Sequence, residues 1–193
     1  MKQVKKLVLL AIAAFFVNAS FAQMDSKMSS SSEKTVMVGG AAMFPSKNII
    51  ENAVNSKDHT TLVAAVKAAG LVETLQGKGP FTVFAPTNDA FNMLPAGTVD
   101  NLLKPENKGT LTTVLTYHVV AGRLGSADLA KLIKEGNGTA ELKTVAGGKL
   151  WVMMKGKKIV LKDEKGGMAT VTIKDVNQSN GVIHVIDHVV LPK

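Results

Sequence analysis

The sequence predicts an α+β domain, with helices packed on a mostly antiparallel β-sheet. Three observations predict it. Apolar residues in the front half recur at helical spacing, as in Leu62, Val63, Val66 and Ala69. The back half holds short β-rich runs separated by Gly-containing turns. The 193 residues contain no Cys, so the fold must rest on its core rather than on disulfides or thiolate–metal sites.

The elements follow in chain order. Thr61 to Ala69 reads as a helix that Thr60 or Thr61 caps and Gly70 stops. Leu71 to Gln76 adds a turn or two before Gly77-Lys78-Gly79-Pro80 breaks it. Phe81 to Ala85 is a short strand ended by Pro86. Thr87 then caps a helix that carries Asp89 in its first turn, where the helix dipole favours a negative charge. A further helix spans Thr110 to Tyr117, with Leu111, Val114, Leu115 and His118 along one stripe. Ser126 caps another, with Leu129, Leu132 and Ile133 facing inward and Gly136 at its end. Leu150–Met154 and Lys158–Leu161 form a hairpin, Ala169–Ile173 another strand, and Asn177–Gly181 a turn. Val182–Leu191 reads as a final strand that is apolar on both faces and therefore central.

The chain starts with an export pattern. Lys2, Lys5 and Lys6 precede the apolar run Leu7–Val17, and Ser20-Phe21-Ala22 supplies the small residues a signal peptidase reads. Spanning a bilayer takes about 20 apolar residues, and this run has 11. Residues 1–22 are thus expected to be a secretory signal peptide, the product to be periplasmic, extracellular or at the cell surface, and no membrane span to remain after its removal. Gln23 to about Lys47, with four consecutive Ser and a Gly39-Gly40 pair, reads as a flexible low-complexity linker. Residues 48–193 read as one domain, long enough to bury roughly 68–70% of the unfolded chain's surface.

The net charge of +8 falls to +5 if cleavage follows Ala22, an ordinary value for a soluble domain. With one Trp, one Tyr and seven Phe, there are few rings to stack on bases, so no nucleic-acid partner is expected. No G-x-S-x-G, H-E-x-x-H, Walker or dinucleotide pattern occurs. The sequence therefore points to a non-enzymatic protein without cofactor or metal. His184 and His188 on one strand would lie about 13 Å apart, too far for a shared ion.

Three segments resemble the fasciclin domain family. They are Phe81-Thr82-Val83-Phe84-Ala85-Pro86-Thr87-Asn88-Asp89-Ala90-Phe91, the Tyr117-His118 pair, and Asn180-Gly181-Val182-Ile183-His184-Val185-Ile186-Asp187 with Val189-Val190-Leu191-Pro192 behind it. The resemblance implies a fasciclin-like wedge of sheet and helices. It also implies an exported or cell-surface protein that works by binding, in adhesion or matrix interaction, with some relatives taking small apolar ligands or glycans. Two partner classes follow: a surface or matrix component, protein or polysaccharide, and a small apolar ligand. The chain holds one copy of the domain and no Arg-Gly-Asp triplet, so bridging two surfaces would call for a homodimer or for a tail that also binds.

Candidate binding or motif residues are Thr87, Asn88, Asp89, Tyr117, His118 and His184. Each has a structural reading beside the functional one. Thr87, Asn88 and Asp89 can cap a helix. Tyr117 can pack its ring and hydrogen-bond its hydroxyl. His118 can be a neutral core histidine, and a hydrogen bond from the Thr87–Asp89 box to His118 or His184 would tie the two halves together. The stripe Lys155, Lys157, Lys158 and Lys162 is either a solvated hairpin tip or a site for acidic polysaccharide or anionic headgroups.

Overall fold

The computed structural model describes residues 33–193. The expected signal peptide and residues 23–32 of the expected linker lie outside the described residues. Residues 33–47 belong to the domain, which corrects the linker boundary. Strands β1 (Val36–Val38) and β2 (Ala41–Met43) form a hairpin across Gly39-Gly40. Both glycines have positive φ, 57° and 77°, as a two-residue hairpin turn with matching twist requires. The pair that looked like a spacer is a turn, and Val38 and Met43 beside it are core residues.

Asn48 and Glu51 form a reciprocal capping box for α1 (Ile49–Ala53), their side chains each accepting the other's backbone N–H at 2.9 and 2.8 Å. A 3-10 turn (Lys57–His59) leads into α2 (Thr60–Ala69), which ends at Gly70. Of the expected apolar stripe, Leu62, Val66 and Ala69 are buried together with Ala65, and Val63 is half-buried. Helix α3 (Val72–Gln76), strand β3 (Phe81–Pro86) and helices α4 (Asn88–Asn92) and α5 (Thr98–Leu102) follow. A 3-10 turn (Pro105–Asn107), helix α6 (Lys108–Tyr117), strand β4 (Val119–Ala121) and helix α7 (Ser126–Glu135) complete the front half. The back half is β5 (Thr139–Lys143), β6 (Lys149–Lys155), β7 (Lys158–Lys162), β8 (Met168–Gln178) and β9 (Gly181–Ile186).

The main sheet has the order β4-β3-β9-β8-β7-β6-β5. Every neighbouring pair is antiparallel except β3 and β9. An isolated bridge between Val120 and Thr144 joins the two outer edges, so the sheet curls on itself. The α+β expectation holds, with β1, β2, β4, β5, α1 and α5 added to the elements read from the sequence.

The sheet separates two cores. Val83, Ala85, Ile183 and Val185 pack with α1, α2 and α6 on one side. Phe84 and Ile186 pack with α7 and the inner faces of β5–β7 on the other. This explains why β3 and β9 read as continuous apolar runs. Two further differences concern the end of β9 and the start of α7. Strand β9 stops at Ile186, and just beyond it Asp187 still bonds to Thr170 of β8, its carboxylate taking the Thr170 N–H at 2.6 Å. His188 is therefore not on a strand face with His184. The helix expected to start at a Ser126 cap is instead entered through Gly125, and Asp175 supplies the side-chain acceptor: the Ser126 N–H and hydroxyl both donate to its carboxylate. Among the described residues no helix is long and apolar enough to cross a membrane.

Candidate functional site

The three motif segments converge where β3 and β9 pair in parallel. Phe84 lies opposite His184 in the register. Their rings stack with centroids 5.7 Å apart and planes 27° apart. The Phe84 N–H donates to the His118 carbonyl at 2.9 Å, which ties the end of α6 to the same strand. The chain's local order explains the meeting. α6 delivers Tyr117 and His118 at its C-terminus, and β4 immediately pairs back along β3.

His118 is buried. Its Nδ1–H donates to the Val114 carbonyl at 2.8 Å, and its Nε2 accepts the Val190 N–H at 3.2 Å. Both partners suit a neutral ring, and burial pulls its pKa down to about 4. His184 is also buried and neutral by the same logic. Its Nε2–H donates to the Leu124 carbonyl at 2.8 Å, while Nδ1 accepts the Asp175 N–H at 3.3 Å. Burial lowers its pKa, and the Asp175 carboxylate only partly offsets this.

Tyr117 has no exposed surface. Its ring lies in the second core, and its hydroxyl donates to the Lys149 carbonyl at 2.5 Å and accepts the Glu164 N–H at 3.2 Å. Burial pushes its pKa up to about 12. A contact with an external partner through Tyr117-His118 is thus closed off in the folded chain. The pair joins α6 to the sheet rather than facing solvent.

Thr87 caps α4, its hydroxyl accepting the Ala90 N–H at 3.2 Å. Asn88 does more than start that helix. Its Oδ1 accepts the Thr61 N–H at 3.0 Å and the Thr60 hydroxyl at 3.2 Å, and its Nδ2 donates to the Lys57 carbonyl at 2.8 Å. It therefore caps α2 from outside and fixes α2 against α4. Asp89 is exposed, and the hydrogen bond expected from this box to His118 or His184 is not formed. Each ring is satisfied by backbone groups of other segments instead. Asn88→Ala is expected to lower stability by about 1–2 kcal/mol, whereas Asp89→Ala loses only a first-turn dipole contact of roughly 0.3–1 kcal/mol. Urea midpoints of the two variants check the ordering, and an Asp89 variant that proves the weaker would contradict it.

Three features were not singled out from the sequence. Asn180, within the turn before β9, is buried. Its Oδ1 accepts the Ile49 N–H at 3.0 Å, and its Nδ2 donates to the Leu75 and Gly77 carbonyls at 2.7 and 2.8 Å. Gly181 follows because a Cβ there would sit 2.2 Å from the Phe81 carbonyl oxygen. An Asn-Gly pair closing an apolar strand was legible as a turn, but its reach to α1 and α3 was not.

The second feature is a cavity of about 80 Å³ between α2, α3 and the sheet, lined by apolar side chains such as Val38, Leu62, Val66, Leu75 and Val83. His59 also lines it. The Nδ1 of His59 bonds with the Ser56 hydroxyl at 2.8 Å, its Nε2 has no hydrogen-bond partner, and burial lowers its pKa. The third is Trp151, half-buried on β6 and part of neither core. Among the described residues no group of three or more acidic, His or Cys side chains could hold a metal ion.

Comparisons with known proteins agree with this architecture. The family model of the fasciclin domain matches residues 57–192. Protein sll1483 of Synechocystis sp. is 49% identical over 160 residues, which cover 83% of this chain and 82% of the relative. Transforming growth factor-beta-induced protein ig-h3 of Sus scrofa is 39% identical over 131 residues, 68% of this chain but only 17% of that protein. Among solved structures, a FAS1 domain pair from the insect cell adhesion molecule fasciclin I superposes with a TM-score of 0.53 at 26% identity, covering 67% of this chain and 43% of that one. The fold and its buried motif define a domain of the fasciclin class. The chain belongs to the fasciclin domain family.

Proposed function

We propose that this chain is an exported, non-enzymatic binding protein that interacts with a cell surface or its surrounding matrix through one fasciclin domain. The observation that carries the reading is where the polar groups lie. Tyr117, His118 and His184 are spent on holding the fold together, while the outer sheet face exposes Lys155, Lys158 and Lys162, which pair with no acid among the described residues. Relatives named for adhesion, such as fasciclin I, support it. The test is binding of labelled protein, purified from the exported fraction of its own host, to intact host cells. Saturable binding that weakens as salt rises is expected. Absence of saturable binding at low salt would contradict it.

The cavity beside His59 favours a second reading, a periplasmic or extracellular carrier of a small apolar ligand. Its volume counts against a large ligand: about 80 Å³ is roughly half of the engineered ~150 Å³ cavity that admits benzene. A carrier would have to open this site. Native mass spectrometry with an absorption spectrum separates the readings. Added mass or a chromophore favours the carrier, and a bare mass favours surface interaction and also reports whether the protein is a dimer.

A further inference from the structure

The outer face of β5–β8 has a composition that the fold does not require. Cross-strand register places Glu141, Trp151, Lys162 and Met168 in one row. The next row along is Thr139, Met153, Val160 and Thr170. Lys155 faces Lys158 at one end, and Lys143 faces Lys149 at the other. The alternate residues Leu150, Val152, Ile159 and Leu161 point into the second core, whereas Trp151, Met153 and Val160 belong to neither core. Like charges directly opposite one another cost stability, so the two Lys–Lys pairs are not explained by folding.

The two ends differ in charge. At one end Lys149 pairs with Glu141 at 3.0 Å, and the Glu164 carboxylate sits on the Lys149 N–H at 2.9 Å. Asp187, beside Thr170, is taken up by His188. At the other end Lys155 and Lys158 are exposed, as is Lys162 in the Trp151 row, and none of the three makes an ion pair among the described residues. The result is a platform about 20 Å long by strand rise, with half-buried Trp151 and Met153 along its middle, Lys162 beside the indole, and unpaired Lys155 and Lys158 at one end.

We propose that this face binds a linear, carboxylate-bearing polysaccharide, with Trp151 against the apolar face of a sugar ring and Lys155, Lys158 and Lys162 as counter-charges. The inference deepens the surface-binding reading and rests on it. Three arguments select this partner. A half-buried planar indole suits a ring with an apolar face and polar edges. The cations are all Lys, point charges that pair with anionic groups without a fixed geometry, whereas bidentate readout of base edges favours Arg, and the chain's only arginine, Arg123, donates to the Gln178 and Ser179 carbonyls instead. Trp151 and Met153, the apolar side chains between the lysines, are only half-exposed, which fits a polymer laid along the face better than insertion into a bilayer.

Trp151 is the chain's only tryptophan, so its emission reports this face alone. The experiment titrates the mature protein with polygalacturonate, with dextran as neutral control and with vesicles of phosphatidylcholine and phosphatidylglycerol as anionic lipid. A saturable emission change is expected with polygalacturonate, absent with dextran and suppressed by salt. The triple variant Lys155→Gln, Lys158→Gln, Lys162→Gln should bind about tenfold more weakly with an unchanged urea midpoint. Trp151→Thr, read by affinity electrophoresis, should weaken binding by a similar factor. Polygalacturonate binding without an emission change, or binding unaffected by the lysine variant, overturns the site. An emission change with vesicles only overturns the polysaccharide in favour of a membrane. No response to any probe, from protein that still binds host cells, overturns this inference alone; loss of cell binding as well overturns the surface reading with it.

Discussion

Acidification from pH 6.5 to about 4 is expected to cost the folded protein about 3 kcal/mol through His118 alone. The unfolded chain takes up a proton on this ring near its ordinary pKa of about 6.5. The folded chain resists until about pH 4, because burial penalises the imidazolium, and protonated Nε2 could no longer accept the Val190 N–H. The contribution is therefore complete above pH 6.5 and is lost as pH falls through the folded value. His184 and His59 act in the same direction, since burial lowers both. The carboxylates of Asp175 and Asp187, whose pKa values are also lowered, lose their contribution in the more acidic window below their ordinary range. Urea unfolding at pH 7, 5.5 and 4 reads the slope. His118→Gln keeps a polar side chain, costs about 1–3 kcal/mol at neutral pH, and should flatten the profile between pH 6.5 and 4. A variant profile as steep as the wild type would contradict the assignment.

Asn180→Ala should lower stability by roughly 3 kcal/mol or more. One truncation leaves the Ile49 N–H and the Leu75 and Gly77 carbonyls without partners at a buried junction, and each such group costs about 1–3 kcal/mol. Asn180→Asp separates loss of hydrogen bonds from loss of volume. It retains an acceptor for Ile49 but sets a carboxylate against two carbonyl oxygens, so it should not rescue the fold. A midpoint shift equivalent to less than about 1 kcal/mol for Asn180→Ala would contradict the role given to this side chain.

Elements whose local pattern and tertiary environment agree were readable from the sequence. α2 and α7 carry apolar stripes at helical spacing, and β6 and β7 are apolar, β-rich runs on either side of a Gly turn. β4 and β5 were not readable. β4 is three residues long and exists because it pairs with β3 directly after α6. β5 alternates Ala140 and Leu142 with polar residues, a weak signal that becomes a strand against β6. The β1–β2 hairpin was hidden because two glycines and a serine-rich neighbourhood resemble a spacer, although only the glycines are part of the turn. α1 had a readable capping box, Asn48 and Glu51, but only five residues of helix behind it.

The candidate site divides the same way. Capping by Thr87 follows from residue type and position. The reach of Asn88 to Thr61, and of Asp175 to Ser126, depends on contacts across 27 and 49 residues of chain. Sequence spacing carries no signal for such distances. His118 and His184 were legible as polar residues in apolar runs, which marks burial with partners but does not identify the partners. The lysine stripe was visible, but its alignment with Trp151 depends on the register of three strand pairs.

The central claim is that the buried motif builds the domain and the outer sheet face does the binding. The most direct measurement compares Tyr117→Phe with the Lys155, Lys158, Lys162→Gln variant for both urea midpoint and host-cell binding. Tyr117→Phe removes the hydroxyl held by Lys149 and Glu164, so it should lose about 1–3 kcal/mol of stability and bind cells like the wild type wherever it is folded. The lysine variant should keep its midpoint and lose most of its binding. A Tyr117→Phe variant that is stable yet no longer binds, beside a lysine variant that still binds, would contradict the account.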